Sequence, residues 1–201
     1  MKKIFVFIAV LIGITLFMSC GTDVDYVDFT ITAENRHMVG YTGEENEDLV
    51  IPATFEYGEV WYQVIEIGEY AFLNCKNLNS VSIPNGVTNI AMCAFSQCSN
   101  MTDVNIPNSV KTIELSAFID CDALTEVTLL GVTTIGNSAF SCCANLKSVT
   151  FGNALIKIDD SAFFATYLSN VYFHGSKEEW ENVEIQDNNR LLLNADIEFY
   201  N

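Results

Sequence analysis

Cysteine is the residue type in this chain that is best suited to chemistry, because a thiolate is both a nucleophile and a metal ligand. The chain has 201 residues and seven cysteines. Four of the cysteines follow one another at steps of 23, 23 and 22 residues, namely Cys75, Cys98, Cys121 and Cys143. A zinc site needs ligands that converge on one point, whereas residues at one position of a repeat form a straight column. The spacing therefore predicts a structural column of buried thiols, the thiol column, with no metal and no cofactor.

Disulfide bonds within the thiol column are disfavoured by its geometry. Neighbouring Cα atoms would lie about 4.8 Å apart, but parallel side chains hold the Cβ atoms slightly too far apart for a disulfide. We therefore expect free thiols that act as small hydrophobic residues with a weak donor. Cys93 and Cys142 lie outside the column, and a disulfide that involves them is an alternative in an exported protein.

The other residues that could do chemistry do not form a catalytic pattern. The two histidines, His37 and His174, have no nucleophile, carboxylate or metal partner at a meaningful spacing. No phosphate-binding loop, nucleophile elbow or zinc-protease motif is present in the sequence. Asp159 and Asp160 occupy a turn, whereas the carboxylate pair of a hydrolase would need a cleft. We therefore expect a protein that is not an enzyme.

The charge of the chain excludes several kinds of partner. The formal net charge is −17, and half of the residues are hydrophobic. A nucleic acid would need a basic face, and adsorption to anionic lipid would need a basic patch. The composition therefore predicts a sizeable core and no nucleic-acid partner.

The thiol column belongs to a longer repeat. The pattern Ala-Phe-x-x-Cys-x-x-Leu-x-x-Val-x-Ile begins at Ala71, Ala94, Ala117 and Ala139, and without its cysteine at Ala162. A fixed period near 23 is typical of a solenoid. We expect an α/β-type or mostly β solenoid, a right-handed coil with one parallel sheet, short helical turns and caps at both ends. The expected helix caps are Ser116, Ser138 and Ser161, and the phenylalanines should stack as a spine.

We expect one solenoid domain over residues 27–201, which consists of a cap at each end and the repeats between them. Residues 27–63 are an amino-terminal cap with an irregular first coil, and alternating apolar residues predict a hairpin within 27–41. Residues 64–173 are the repeats, and residues 174–201 are the carboxyl-terminal cap. In this cap Ser176 and Glu179 have the spacing of a capping box.

The first 26 residues have the organisation of an export signal. Lys2 and Lys3 precede an apolar segment over residues 4–17, which is too short for a comfortable membrane span. Small residues then surround Cys20, and the segment resembles a bacterial lipoprotein signal, although Leu16 lies one place too far from the cysteine. We expect residues 1–19 to be the signal peptide, Cys20 to be lipidated, and residues 20–26 to be an acidic tether. The alternative is an ordinary secretory peptide.

The repeat Ala-Phe-x-x-Cys-x-x-Leu-x-x-Val-x-Ile-Pro-x-x-Val-x-x-Ile resembles the leucine-rich repeats of the BspA-like type. The resemblance covers about residues 27–200, and the segment over residues 175–180 resembles the carboxyl cap of these proteins. The departures are Met101 for leucine, Leu130 for proline and Thr166 for cysteine. The resemblance implies a secreted or surface lipoprotein of an anaerobic Gram-negative bacterium, with adhesion to host extracellular proteins or coaggregation as its function.

The residues that alternate with the inward ones form the predicted binding face. They are Ser80, Ser82, Asp103, Asn105, Glu126, Thr128, Ser148, Thr150, Asn170 and Tyr172. Solenoids use such extended faces for recognition, and the alternative is a plain soluble sheet face.

Two function classes remain: a cell-surface adhesion module that binds a host matrix protein or another cell surface, and a structural or glycan-binding lipoprotein of the envelope. Both would be outer-membrane lipoproteins, held to the membrane by the lipid anchor alone. Tyr57, Trp61 and Tyr62 are an alternative aromatic patch.

Overall fold

The computed structural model of the chain describes residues 30–31, 37–39, 47–57 and 60–200. The strands are β1 (Thr30–Ile31), β2 (His37–Val39), β3 (Glu47–Val50), β4 (Thr54–Tyr57), β5 (Val60–Gln63), β6 (Glu66–Ile67), β7 (Leu78–Ser82), β8 (Asn89–Ile90), β9 (Asp103–Asn105), β10 (Thr112–Ile113), β11 (Glu126–Leu129), β12 (Thr134–Ile135), β13 (Ser148–Gly152), β14 (Lys157–Ile158), β15 (Asn170–His174), β16 (Glu184–Ile185) and β17 (Asp196–Phe199). The helices are α1 (Lys177–Glu181) and α2 (Arg190–Leu193).

The coils stack as a solenoid, which confirms the predicted fold class. Strands β3-β7-β9 and β11-β13-β15-β17 form two parallel sheets along one side, which we call together the divided ladder. A third sheet, β1-β2-β6-β8-β10-β12-β14-β16, runs along another part of every coil, and we call it the long ladder. It is parallel from β2 onwards.

The prediction of one parallel sheet is corrected by the long ladder. Its strands from β6 to β16 have two residues each, too few for the alternation of a strand to be seen in a sequence. They contain the inward isoleucine of the Val-x-x-Ile segment, as Asn89–Ile90 shows: Asn89 is half-buried and Ile90 is fully buried. The sequence therefore indicated an apolar pair and not a strand.

The predicted phenylalanine spine is present in the core. Phe72, Phe95, Phe118, Phe140 and Phe163 have exposed fractions of 1% or less. Successive ring centroids lie 4.8, 5.2, 5.0 and 5.4 Å apart, with interplanar angles between 2° and 8°. Each ring is thus stacked on the ring of the next coil, and this stack extends through all five coils.

The residues before the Ala-Phe pairs have a left-handed backbone. The φ angles of Ser116, Ser138 and Ser161 are 54°, 56° and 57°. A helix N-cap residue has an extended backbone, so the prediction that these serines cap helices is wrong. The segments are turns, and they are tied from coil to coil by backbone hydrogen bonds such as that from the Phe118 N–H to the Ala139 carbonyl at 2.7 Å.

Irregular elements adjoin the repeats at both ends. Strands β1 and β2 pair antiparallel within the segment for which a hairpin was predicted. At the other end both hydrogen bonds of the Ser176–Glu179 capping box are formed at the start of α1. Trp180 of this helix is buried against the rings of Phe151 and Phe173. Strand β17 then adds the last rung of the divided ladder, next to β15.

Candidate binding face

The predicted binding face lies on the solvent side of the divided ladder, in two blocks. In the first block Ser80 and Ser82 of β7 are in register with Asp103 and Asn105 of β9. In the second block two rows run across four strands. These rows are Glu126, Ser148, Asn170 and Asp196, and Thr128, Thr150, Tyr172 and Glu198. Sequence reasoning did not assign Asp196 and Glu198 to the face, although their alternation with Ile197 and Phe199 was a usable signal.

The two blocks meet at a break in the hydrogen bonding between β9 and β11. Elsewhere in the ladder the Lys147 N–H donates to the Thr125 carbonyl at 2.9 Å, and the Ile83 N–H donates to the Asn105 carbonyl at 3.1 Å. Across the break, where both strands are fully described, β9 and β11 are not paired, and the two equivalent backbone hydrogen bonds are missing. The missing bonds would run from the Thr125 N–H to the Thr102 carbonyl and from the Ile106 N–H to the Thr128 carbonyl.

An open cavity of about 750 Å³ lies at this break, and we call it the groove. Its polar lining includes Ser82, Asn85, Asp103, Asn105, Glu126 and Thr128. Five of these six residues belong to the predicted binding face. The inward residues beside the groove, Val104 and Ile106, are 6% and 7% exposed, whereas their counterparts Val81 and Ile83 are 1% and 2% exposed. The opening therefore reaches slightly into the core.

Two features of the sequence coincide with the break. Pro107 is the last proline of the chain, so the divided-ladder strands before the break are followed by proline and those after it are not. The turn after β11 is also one residue shorter than the turn after β9. Its Gly131 lies so close to the preceding coil that a Cβ atom there would be 2.0 Å from the Asn108 carbonyl oxygen. The turns are therefore in close contact where the strands are apart.

Lys111 holds the turn end of the groove together. Its Nζ donates to the Asn108 and Gly131 carbonyls, at 3.1 Å in each case. The charged groups that line the groove itself are the exposed carboxylates of Asp103 and Glu126. The groove is therefore acidic.

At the amino-terminal end of the divided ladder a carboxylate joins the first two rungs. Asp48 accepts hydrogen bonds from the Ser80 hydroxyl at 2.7 Å and from the Asn79 amide at 2.9 Å. These bonds, that of Ser80 first, lower the pKa of Asp48. Ser80, which was predicted as part of the binding face, is thus engaged within the ladder.

At the other end of the face Tyr172, His174 and Tyr200 form an aromatic cluster. The His174 and Tyr200 rings are stacked with centroids 5.4 Å apart, and the Tyr172 and Tyr200 centroids are 6.1 Å apart. The Tyr200 hydroxyl donates to Glu198 at 2.7 Å, which raises the pKa of Tyr200. The sequence indicated no chemical partner for His174 and placed Tyr200 in a closing strand, so the contact between the two rings was not predicted.

The structure places the thiol column inside the core. The thiols of Cys98, Cys121 and Cys143 donate to phenylalanine carbonyls of the preceding coil, at 3.0, 3.2 and 3.1 Å. Cys75 is also buried. Burial is the largest cause of a strongly raised pKa of Cys121, so this thiol stays protonated and is a poor nucleophile.

The remaining cysteines differ in position. Cys93 and Cys142 are half-buried, and all six cysteines of the described residues are free. Burial, followed by the charge of Glu69, raises the pKa of Cys93. Cys20 lies outside the described residues. Within the same described part of the chain, no three or more metal-ligating side chains gather at a common point.

The alternative aromatic patch lies on the hairpin of β4 and β5. Trp61 is 66% exposed, on a hairpin in which Phe55 is opposite Tyr62 and Tyr57 is opposite Val60. Neither helix of the described residues has the length and apolar composition to cross a bilayer.

Comparison with known proteins gives one family and several similar structures. The profile of the BspA type leucine rich repeat region matches residues 65–191 in six copies. No curated protein matches the chain. A leucine-rich repeat protein of T. pallidum is 26% identical, with a TM-score of 0.64, and the match covers 75% of this chain and 70% of that one.

Two further solved structures share the fold. A leucine rich cell surface protein of Faecalibacterium prausnitzii is 28% identical over 85% of this chain, with a TM-score of 0.62. The match covers 52% of that protein, so this chain spans about half of its length. The pneumococcal vaccine antigen PcpA, at 18% identity and a TM-score of 0.61, covers 85% of this chain, and the match spans 45% of PcpA. This last likeness concerns the fold alone.

Proposed function

Because this chain belongs to the BspA type leucine-rich repeat family, we propose that it is a non-enzymatic binding module of the cell surface, which recognises a protein partner through the outward face of its divided ladder. The observation that carries the proposal is the groove, since five residues of the face line one open cavity of about 750 Å³. Solenoids of stacked repeats use extended faces of this kind for recognition.

The chemistry of the face supports binding and not turnover. Its side chains are hydroxyls, amides and carboxylates, and the four nearest to the break, Asp103, Asn105, Glu126 and Thr128, are exposed. The cysteines with the deepest burial are hydrogen-bonded inside the core, where no substrate reaches them.

The proposed location is the outer membrane, with the solenoid held outside the cell by a lipid on Cys20 and by the tether of residues 20–26. The description of the F. prausnitzii relative as a cell surface protein supports a surface location. The partner would be a host matrix protein or a protein on another cell. Metabolic labelling with a radioactive fatty acid should label the wild type and not Cys20→Ala, and protease treatment of intact cells should release the solenoid. Labelling of the variant would exclude this anchor.

A binding assay with a matched pair of variants tests the function. Purified protein is applied to immobilised fibronectin, fibrinogen and collagen, and to intact bacteria of other species. Thr128→Arg places a long side chain in the groove, and Ala144→Arg places the same side chain on an exposed turn outside the face. We expect binding that Thr128→Arg weakens at least tenfold and Ala144→Arg leaves within twofold. Equal binding by the two variants would contradict recognition through this face.

The aromatic cluster supports a second candidate function, glycan binding by a lipoprotein of the envelope. Tyrosine rings offer apolar faces beside a polar handle, and Tyr172 and Tyr200 lie next to Glu198 on the same face. Tyr172→Ala should then abolish binding to an extracted surface polysaccharide. Binding of the wild type to this polysaccharide and to none of the matrix proteins or cells, with loss of that binding in Tyr172→Ala, would favour this second function.

A further inference from the structure

Strand β17 is the last rung of the divided ladder, and one of its edges is open. The Asp196 and Tyr200 N–H groups donate to carbonyls of the preceding coil, at 2.9 Å in each case. Because successive N–H groups of a strand point to opposite sides, those of Ile197 and Phe199 point away from β15. Among the described residues no strand lies beyond β17, so the N–H and carbonyl groups of these two residues have no partner in the ladder.

The apolar side chains of β17 are incompletely covered. Ile197 and Phe199 are half-buried, although their counterparts in the preceding rung, Val171 and Phe173, are 0% exposed. The difference follows from the open edge, because an inward side chain of a solenoid is covered by the coils on both sides of it. A strand added at this edge would therefore bury apolar surface as well as pair with backbone groups.

The outward side chains of β17 indicate which charge such a strand would carry. Asp196 and Glu198 are exposed, and neither takes part in an ion pair among the described residues. Glu198 accepts a hydrogen bond from the Tyr200 hydroxyl, which leaves its negative charge in place. Carboxylates recognise lysine and arginine through charge-assisted hydrogen bonds. The edge is thus complementary in charge to a strand with basic side chains on the same face.

The same charges disfavour a second copy of this chain at the edge. Antiparallel pairing of two β17 strands through Ile197 and Phe199 would place the two Glu198 carboxylates opposite each other. Like charges directly opposite destabilise a strand pair, and charged side chains at an edge are a common protection against edge-to-edge association. The strand that fits the edge therefore comes from a different protein.

We propose that the open edge of β17 binds an extended segment of a protein partner in which lysine or arginine alternates with apolar residues. The main chain of the segment pairs with the open N–H and carbonyl groups of Ile197 and Phe199. Its basic side chains lie beside Asp196 and Glu198, and its apolar side chains cover Ile197 and Phe199. This inference rests on the proposed function, because it names the chemistry of the protein partner at the end of the same ladder.

The test uses a labelled eight-residue peptide of alternating lysine and valine, and a peptide with glutamate in place of each lysine. Because the protein has a formal net charge of −17, a basic peptide is also attracted without specificity. The lysine peptide is therefore also made in two N-methylated forms, one methylated on the lysine amides and one on the valine amides. The two forms have the same charge, but each keeps donors along only one edge of the extended peptide.

Two protein variants complete the test. Asp196→Asn/Glu198→Gln removes the carboxylates of the edge, and Asp122→Asn/Glu178→Gln removes two exposed carboxylates outside the face. Affinities are measured in 0.15 M salt, and circular dichroism confirms that both variants are folded.

We expect the lysine peptide to bind and the glutamate peptide not to bind. One N-methylated form should bind at least tenfold more weakly than the other, because only one edge of the peptide faces β17. The edge variant should weaken binding at least tenfold, and the control variant should leave it within twofold. Bound peptide should slow hydrogen exchange of the Ile197 and Phe199 amides at least tenfold.

Three results would overturn the inference. Equal losses in the two protein variants would show diffuse attraction only. Equal affinities of the two N-methylated forms, or unchanged exchange of the Ile197 and Phe199 amides, would show that no strand is added at this edge.

The result is separable from the proposed function. A matrix protein that is blocked by Thr128→Arg but binds Asp196→Asn/Glu198→Gln normally would uphold the binding face and overturn the basic segment at β17. Failure of Thr128→Arg to weaken any protein partner would overturn the proposed function itself, whatever the peptide does.

Discussion

The long ladder and the divided ladder are built from the same coils, yet only the long ladder is continuous. It passes from β8 through β10 to β12 without interruption, and the divided ladder stops between β9 and β11 at the same level of the solenoid. At that level the rings of Phe95 and Phe118 remain stacked, with their centroids 5.2 Å apart. A coil can therefore part from its neighbour on one side while the core and the other side stay joined.

Under the proposed function, this difference separates the part of each coil that gives stability from the part that binds a partner. In the long ladder the paired strands use their backbone groups on each other, so little remains for a ligand. At the break in the divided ladder, unpaired groups, two carboxylates and an open cavity occur together.

Removal of one ring from the spine should have the largest effect. Phe118→Ala deletes a side chain with an exposed fraction of 0% that is stacked on both neighbours, so the free energy of unfolding should fall by about 3–5 kcal/mol. Urea denaturation measures this. The control Leu115→Ala removes a side chain that is 44% exposed and should cost below about 1 kcal/mol. Similar losses in both variants would show that the spine does not join the coils across the break.

A methyl group at Gly131 should disturb the contact that holds the turns together at the break. In Gly131→Ala the new Cβ would lie 2.0 Å from the Asn108 carbonyl oxygen, so the turn must shift, at a cost of about 1–3 kcal/mol. Thr125→Ala, an exposed change nearby, should stay within about 0.5 kcal/mol. Thermal unfolding measures the effect in both variants. A melting temperature of Gly131→Ala equal to that of the wild type would mean that this contact does not hold the turns.

Hydrogen exchange should distinguish the open strands from the paired ones without any mutation. The Thr125 amide faces the break, and the Lys147 amide donates to the Thr125 carbonyl. Because a bonded amide exchanges only after local opening, we expect the Thr125 amide to exchange at least tenfold faster. The same contrast is expected between Ile106 and Ile83. Equal rates in both pairs would mean that the ladder is closed in solution.

The smallest effect concerns the paired amino-terminal end of the divided ladder. Because hydrogen bonds lower the pKa of Asp48 in the folded protein, this residue contributes stability above its unfolded pKa of about 3.9. The contribution is lost as the pH falls through the lower, folded pKa. Asp48→Asn should therefore show a smaller fall in Tm between pH 6 and pH 2 than the wild type, whereas Asp122→Asn should behave like the wild type. An unchanged fall would show that the ion contributes nothing there.

The sequence was most informative where one residue type recurs at one position. The spine, the rungs of the divided ladder and the buried cysteines all recur near a period of 23, because each coil must bury the same face against its neighbours. The capping box was visible for a similar reason, since it depends on two residues three positions apart.

The features that the sequence did not predict depend on geometry between coils. Strands of two residues, such as Thr112–Ile113, are too short for a period to appear. The break arises where Gly131 contacts Asn108, and the aromatic cluster joins Tyr172 to a residue 28 positions later. The candidate residues of the face were therefore predicted, but their division into two blocks and the groove between them were not.

The left-handed turn residues have a consequence for making the protein more resistant to heat. Within the described residues, every repeat coil holds two non-glycine residues with φ between 54° and 62°, as Ser138 and Cys142 do in the fourth. A side chain costs about 1–2 kcal/mol in that conformation, and glycine avoids the cost in exchange for a more flexible unfolded chain. Asparagine tolerates this conformation better than most other residues, and an asparagine already occupies one such position, Asn74. Glycine or asparagine at the exposed positions Gln97 and Ala165 would thus raise the melting temperature by relieving the backbone alone, with the core and the groove untouched.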